Sequence, residues 1–282
     1  LLNPSLPLLL RGDGTVQLGW APETAVLLRP PPKLDGAALV ELLRLLDGQH
    51  NWPAVVWQAA ALDIGPQSAS AILAELEAAG LLVRVTDRVG PSAIRVHGRG
   101  PLADQICEGL SGTGVRLSHS ADGQRAAADA YRWNAELVVL TDDLVIEPRL
   151  VAALMRYRIA HLQVRIRDGR GVVGPLVLPG RTSCLRCADL TRCDYDPDWP
   201  HLAAQLLGRV GYAKPAAVRA TAALALSELD VVLDGSPRAA PAILDATLEL
   251  DLHNHRLQRR RWRPHPRCGC ALPVSEVATA TT

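Results

Sequence analysis

Residues 93–110 read AIRVHGRGPLADQICEGL. A short apolar strand, Ala93–Val96, runs through Gly98-Arg99-Gly100-Pro101-Leu102-Ala103 into a helix, Leu102–Leu110. The turn matches G-x-G-x-x-G/A in the strand-to-helix context of a dinucleotide-type loop, where glycines let a phosphate approach the backbone at a helix N-terminus. The same glycines also serve a tight turn with no ligand, so the motif by itself leaves both readings open. Downstream, the pattern of strand and helix repeats. Strands are expected at Val115–Ser118, Glu136–Leu140 and Leu162–Arg167, with a helix over Pro148–Ile159 between the last two. Successive βα units predict an α/β domain with a Rossmann-like parallel sheet and right-handed crossovers. A ribose-binding acid belongs about 20 residues past the loop. His119 and Ser120 stand there instead, and Asp122 sits in an Ala-Asp-Gly turn. Thr141-Asp142-Asp143 follow the third strand.

The next informative run is GPLVLPGRTSCLRCADL, residues 174–190, which carries Cys184-x-x-Cys187. Cys268-x-Cys270 follows about 80 residues later. Two close cysteine pairs have the ligand grammar of a closed, structural four-cysteine zinc site. Disulfides and a redox Cys-x-x-Cys are the rival readings, the first disfavoured in a reducing compartment and the second leaving the distal pair unexplained. Of the other two cysteines, Cys107 shares a helix face with Leu102, Ile106 and Leu110 and reads as core. Cys193 is placed in a polar loop with Asp194, Asp196 and Asp198, whose charges would raise a thiol pKa and weaken it as a nucleophile. His253 and His255 flank Asn254 in a turn expected between strands Thr247–Leu252 and Leu257–Trp262. Arg259-Arg260-Arg261 form a basic run there.

Ahead of Gly90-Pro91 the periodicity differs, so a domain boundary is placed there, giving domains 1–90 and 91–282. Two strand-like runs, Val16–Trp20 and Ala25–Arg29, precede three helices. Ala37–Leu46 repeats Leu39, Leu42, Leu43 and Leu46 at helical spacing. Pro53–Leu62 starts with Asn51 as a cap, and Gln67–Ala79 places Ala71, Ile72, Leu76 and Ala79 on one face. Leu81–Val85 reads as a closing strand. This order is the outline of a small winged-helix (α+β) domain. DNA binding is disfavoured: the third helix, QSASAILAELEAA, has no Lys or Arg and carries Glu75 and Glu77, which repel phosphates. A strand beside a helix suits an extended peptide added to a sheet edge. Leu27, Ile72 and Leu76 are the candidate peptide contacts.

Composition agrees with a soluble, core-forming protein: 282 residues, 48% hydrophobic, 21% charged, net charge +1. Residues 1–90 hold six cations and nine anions, so the remainder carries +4. That balance gives no global attraction to nucleic acid or a membrane surface. No apolar run is long enough to span a bilayer and no signal peptide is read, so cytoplasmic residence is expected. Lys33 and Lys214 are the only lysines.

Two resemblances follow from these residues. The run LLRLLDGQHNWPAVVWQ (residues 42–58) with LAELEAAGLLV (residues 73–83) resembles the PqqD-like element that binds leader peptides of ribosomally made, modified peptides. The glycine loop, Asp142, PGRTSCLRCADL, AALALSELDVVLDG (residues 222–235) and the final cysteine pair occur in the order of the ThiF/MoeB-like, ubiquitin-activating family. The variant CLRCADLTRCDYDPDWPHLAAQL (residues 184–206) is most similar to the ThiF-like partner proteins of YcaO cyclodehydratases, which help make thiazole and oxazole rings. That resemblance implies a precursor-peptide leader and a YcaO-type enzyme as partners, structural zinc as cofactor, and a homodimer. By that resemblance Gly98, Gly100 and Asp142 become vestigial nucleotide-binding positions, with Asp142 the surviving metal-facing carboxylate. The family's cation cluster after the second strand and its SNLxRQ run are missing, so a scaffold without ATP chemistry is expected. The alternatives are an ATP-dependent adenylating enzyme acting on a small sulfur-carrier protein and, further off, a transcription regulator.

Overall fold

A computed structural model of the chain describes residues 1–32, 34–83, 90–121, 123–235 and 240–270. The chain divides into two compact units, Leu1–Asp87 and Arg88–Thr282.

The first unit opens with three short strands, β1 (Leu8–Leu10), β2 (Val16–Leu18) and β3 (Val26–Leu28), in an antiparallel sheet of order β1-β2-β3. Three helices follow: α1 (Gly36–Arg44), α2 (Trp52–Ala61) and α3 (Pro66–Ala78). Leu39, Leu42, Leu43 and Leu46 are all buried, as the spacing predicts. Asn51 caps α2 by accepting a hydrogen bond from the Ala54 N–H at 3.0 Å. In α3 the buried face is Ala69, Ile72, Leu73 and Leu76; Ala71 and Ala79, assigned to it from the sequence, are exposed. The described strands all precede the helices. Of the expected closing strand, Leu82 makes one bridge, to Leu2, and positions 84 and 85 lie outside the described residues. β1 went unread because its apolar residues sit among Pro4, Pro7 and Gly12 and do not alternate.

The second unit is built on a seven-stranded sheet of order β10-β9-β8-β7-β6-β4-β5. Its strands are β4 (Ala93–His97), β5 (Arg116–Ser120), β6 (Leu137–Thr141), β7 (Ala160–Arg167), β8 (Arg170–Val177), β9 (Ala246–Asp251) and β10 (Arg256–Arg261). β5, β4, β6 and β7 run parallel, whereas β7–β8, β8–β9 and β9–β10 pair antiparallel. The expected parallel sheet is therefore half of a mixed one. The part read correctly alternates with helices α4 (Pro101–Leu110), α5 (Gly123–Asp129) and α6 (Pro148–Arg156). β8 was hidden by Gly171, Gly174 and Pro175, since proline and glycine inside a run argue against a strand.

α4 and the long helix α9 (Pro215–Asp234) cover one sheet face, through Leu102, Ile106, Leu110, Ala222, Ala225, Leu229 and Leu233. On the other face Leu150 and Leu154 of α6 pack with Trp133, Val138, Leu140, Leu185 of α7 (Leu185–Tyr195) and two cysteines. The remaining helix, α8, spans Trp199–Leu206. At about 25 cal/mol per Å² of apolar surface, each fully buried leucine contributes about 2 kcal/mol. Two such faces hold the sheet ends that form the site.

Candidate functional site

The glycine loop leads β4 into α4 as predicted, but Asp142 fills its phosphate-facing end. Asp142 has a left-handed backbone (φ 69°), a conformation few non-glycine residues adopt. This turn aims its carboxylate back at the start of α4. Oδ1 accepts the Leu102 N–H and Oδ2 the Ala103 N–H, each at 3.0 Å, and the residue is 2% exposed. The free amides of a helix N-terminus favour an anion; here the protein supplies it. Close approach of Thr141 and Asp142 explains both glycines. A Cβ on Gly100 would lie 2.5 Å from Asp142 Oδ1, and one on Gly98 2.1 Å from Thr141 Oγ1.

The surroundings add further negative charge. Burial, reinforced by the like charge of Asp142, raises the Asp143 carboxyl above its ordinary range, against the opposing Arg99. Arg99 is exposed. His119, standing where a ribose acid was expected, contacts the Gly98 carbonyl through Nε2 at 3.0 Å. His97 Nδ1 meets Ser120 Oγ at 2.9 Å. Gly98, Gly100 and Asp142 are thus brought together, engaged with one another.

The four cysteines converge. Cys184 caps α7 and Cys187 lies in its first turn, while Cys268 and Cys270 come from the turn beyond β10. Their sulfurs all lie within 4.8 Å of one another. Separations are 3.8 Å for Cys184–Cys187, 3.4 Å for Cys184–Cys268 and 3.2 Å for Cys187–Cys270. All four are free thiols, so the disulfide reading is not what the geometry holds. Zinc bound by four sulfurs at about 2.3 Å requires sulfur separations of about 3.8 Å. The donor set and spacing therefore fit a zinc ion. Thiol hydrogen bonding, ahead of burial, pushes Cys184 up, and the bond from Cys184 pulls Cys187 down. Four thiolates together require a dication. The distal loop is tied to α7: the His265 N–H reaches Cys187 Sγ at 3.2 Å, and Asp194 binds both His265 Nε2 (2.7 Å) and the Arg267 guanidinium.

Cys193 lies in the last turn of α7, not in a loop. Cys107 packs against the main core. His253 and His255 sit in the β9–β10 turn, where Asp251 accepts the Asn254 N–H.

Of the three expected peptide contacts, Leu27 on β3 is 51% exposed, but Ile72 (6%) and Leu76 (0%) lie in the first unit's own core. Both side chains are packed inside that unit. Sequence reading missed Trp20, 80% exposed just beyond β2, and Trp57, 78% exposed on α2. Large apolar side chains left in water are the available signal of a binding surface.

No family model matches the chain, and no curated protein matches it. Its fold does match solved structures. The heterocyclase TruD aligns with a TM-score of 0.64 at 16% identity, over 96% of this chain and 42% of that one. A heterocyclase in complex with substrate and cofactor aligns with a TM-score of 0.65 at 13% identity, over 96% and 39%. E. coli MccB with ATP aligns with a TM-score of 0.57 at 11% identity, over 96% and 98%. The chain thus spans about two fifths of those heterocyclases' length and nearly all of MccB. At such identities the likeness to heterocyclase-type and MccB proteins is one of fold alone.

Proposed function

We propose that this chain captures the leader of a ribosomally made precursor peptide and presents its core segment to a YcaO-type cyclodehydratase, without ATP chemistry of its own. The observation that carries the reading is the free edge of β3. That strand pairs with β2 alone among the described residues, so an extended peptide can add to it with backbone hydrogen bonds. Leu27 then offers an apolar contact, in the unit whose sequence resembles a PqqD-like element. The fold likeness to a heterocyclase bound to substrate supports a place in peptide heterocycle formation.

The second unit serves as the docking body, stapled by zinc, which when bound would supply structural clamping and no open coordination position. Cys184, Cys187, Cys268 and Cys270 would hold it. The absence of ATP chemistry is supported by Asp142. Phosphoryl and adenylyl chemistry needs cations around the phosphates, and here Asp142 occupies the helix-start amides with a second carboxylate, Asp143, next to it in the chain. The fold likeness to MccB with ATP favours the rival reading, an adenylating enzyme. A pull-down with synthetic peptides covering the N-terminal halves of short reading frames beside the gene tests the proposal. Retention of one of them supports it, and retention of none counts against it. A homodimer is expected from the resemblance and is read by light scattering.

A further inference from the structure

On the face of the second sheet away from α9, β7 carries charge into the interior. Arg165 is 8% exposed and Gln163 4%. Burial lowers the Arg165 guanidinium to about 9, so it remains charged at neutral pH. Its Nη1 donates to the Leu144 carbonyl at 2.6 Å, while its Nε is buried with no partner. Around it stand two further guanidinium groups within electrostatic range, Arg167 and Arg192, the second of them also near the exposed Arg260. Two carboxylates answer them: Glu249 pairs with Arg167 at 2.8 Å and Asp189 with Arg192 at 2.8 Å. Three cations therefore meet two anions, and among the described residues no ion pair engages Arg165.

A buried, unpaired charge is expensive, and proteins hold one mainly where a counter-ion completes it. Beside Arg165, Arg192 is held in a stack of aromatic contacts. Arg260 lies 4.6 Å from the Trp262 ring, which lies 5.4 Å from Arg192, itself 5.1 Å from the Trp199 ring. These contacts fix the guanidinium planes. The stack borders a recess that Gln163, Arg165 and the Asp189–Arg192 ion pair line at the polar side and Val145, Ile146 and Leu185 at the apolar side. Its free volume is about 20 Å³, room for one or two water-sized groups.

We propose that this recess is an anion site that accepts one carboxylate on a short apolar stem, bound by the free edge of Arg165 with Arg192 beside it. Only the carboxylate head fits the recess, so a nucleotide is too large for it and the aliphatic stem stays outside. The carboxylate comes from a free small acid or from an acidic side chain of a bound polypeptide. The site lies within the second unit and does not rest on peptide capture by the first.

The test is thermal unfolding of the full chain at matched ionic strength. Sodium butyrate is compared with neutral butyramide and with a short C-terminally amidated peptide holding one glutamate. Butyrate is expected to raise the midpoint and butyramide to leave it unchanged. A stronger response to the peptide identifies a polypeptide side chain as the source, and an equal or weaker one a free acid. Arg165→Met is expected to unfold above wild type without additive, since an unpaired buried charge is gone, and to lose at least about tenfold in apparent butyrate affinity. Arg192→Gln, at a partly solvated position, is expected to fold and to weaken the response in the same direction, read independently by indole fluorescence. An Arg165→Met variant less stable than wild type would show that Arg165 is already paired, through Glu249, and would overturn the proposal. So would a wild-type midpoint that butyrate moves no further than butyramide.

Discussion

Replacing Asp142 by alanine probes the glycine loop most sharply. Two buried amides, of Leu102 and Ala103, would lose their acceptor. Hydrogen bonds to a charged group contribute about 1.5–3 kcal/mol each, and a cap substitution typically costs about 1 kcal/mol. Some relaxation at the helix end offsets the loss, so about 3 kcal/mol is expected. Alanine keeps the left-handed backbone penalty, which the substitution leaves in place; Asp142→Gly would recover about 1 kcal/mol of it. For a unit of this size, 3 kcal/mol lowers the unfolding midpoint by about 6–12 °C. The variant also vacates an anion cradle. Phosphate should therefore restore stability to Asp142→Ala beyond its general salting effect on wild type. Calorimetry at increasing phosphate reads both effects. A variant as stable as wild type, or one that phosphate helps no more than wild type, would refute the claim that the protein's own carboxylate occupies the phosphate position.

Further outcomes follow from the same geometry. Leu27→Asp on the β3 edge should weaken leader-peptide binding about tenfold with an unchanged circular dichroism spectrum; unchanged affinity would move the site elsewhere. One zinc per chain should be found by elemental analysis. Its removal by a chelator, or Cys187→Ser, should unfold the region joining α7 to the turn beyond β10, because zinc contributes on the order of 10 kcal/mol in small four-ligand sites. His161 is fully buried, with Nδ1 against the Ile159 carbonyl at 2.9 Å, and burial lowers its pKa to about 4. Its unfolded value is near 6.5, so the unfolded chain takes up a proton first as pH falls. Stability present above pH 6.5 is then lost down to about pH 4, by about 3 kcal/mol. His161→Leu should flatten that part of a urea-unfolding pH series; an equally steep profile would assign the loss to other groups.

Sequence alone exposed the parts governed by local rules. The strand–glycine–helix unit, the leucine face of α1, the Asn51 cap and the two cysteine pairs each depend on neighbours within a turn or on ligand chemistry that spacing encodes. What escaped depends on distant packing. β8 breaks strand patterning at Gly174-Pro175 yet sits between β7 and β9. Ile72 and Leu76 belong to an apolar face, and a helical face does not announce whether the core or a ligand covers it. Asp142 was read as a metal-facing carboxylate because its place after a strand is visible, while its backbone turn toward α4 is not. The pairing deficit of Arg165 is likewise invisible until β7, α7 and β9 are assembled.

Isothermal titration of a synthetic leader peptide into the zinc-loaded chain, with and without ATP and Mg²⁺, bears most directly on the proposed role. Saturable binding of the same strength in both conditions, with no heat from ATP alone, is the predicted result. Binding that appears only with ATP, or none to any candidate leader, would contradict it.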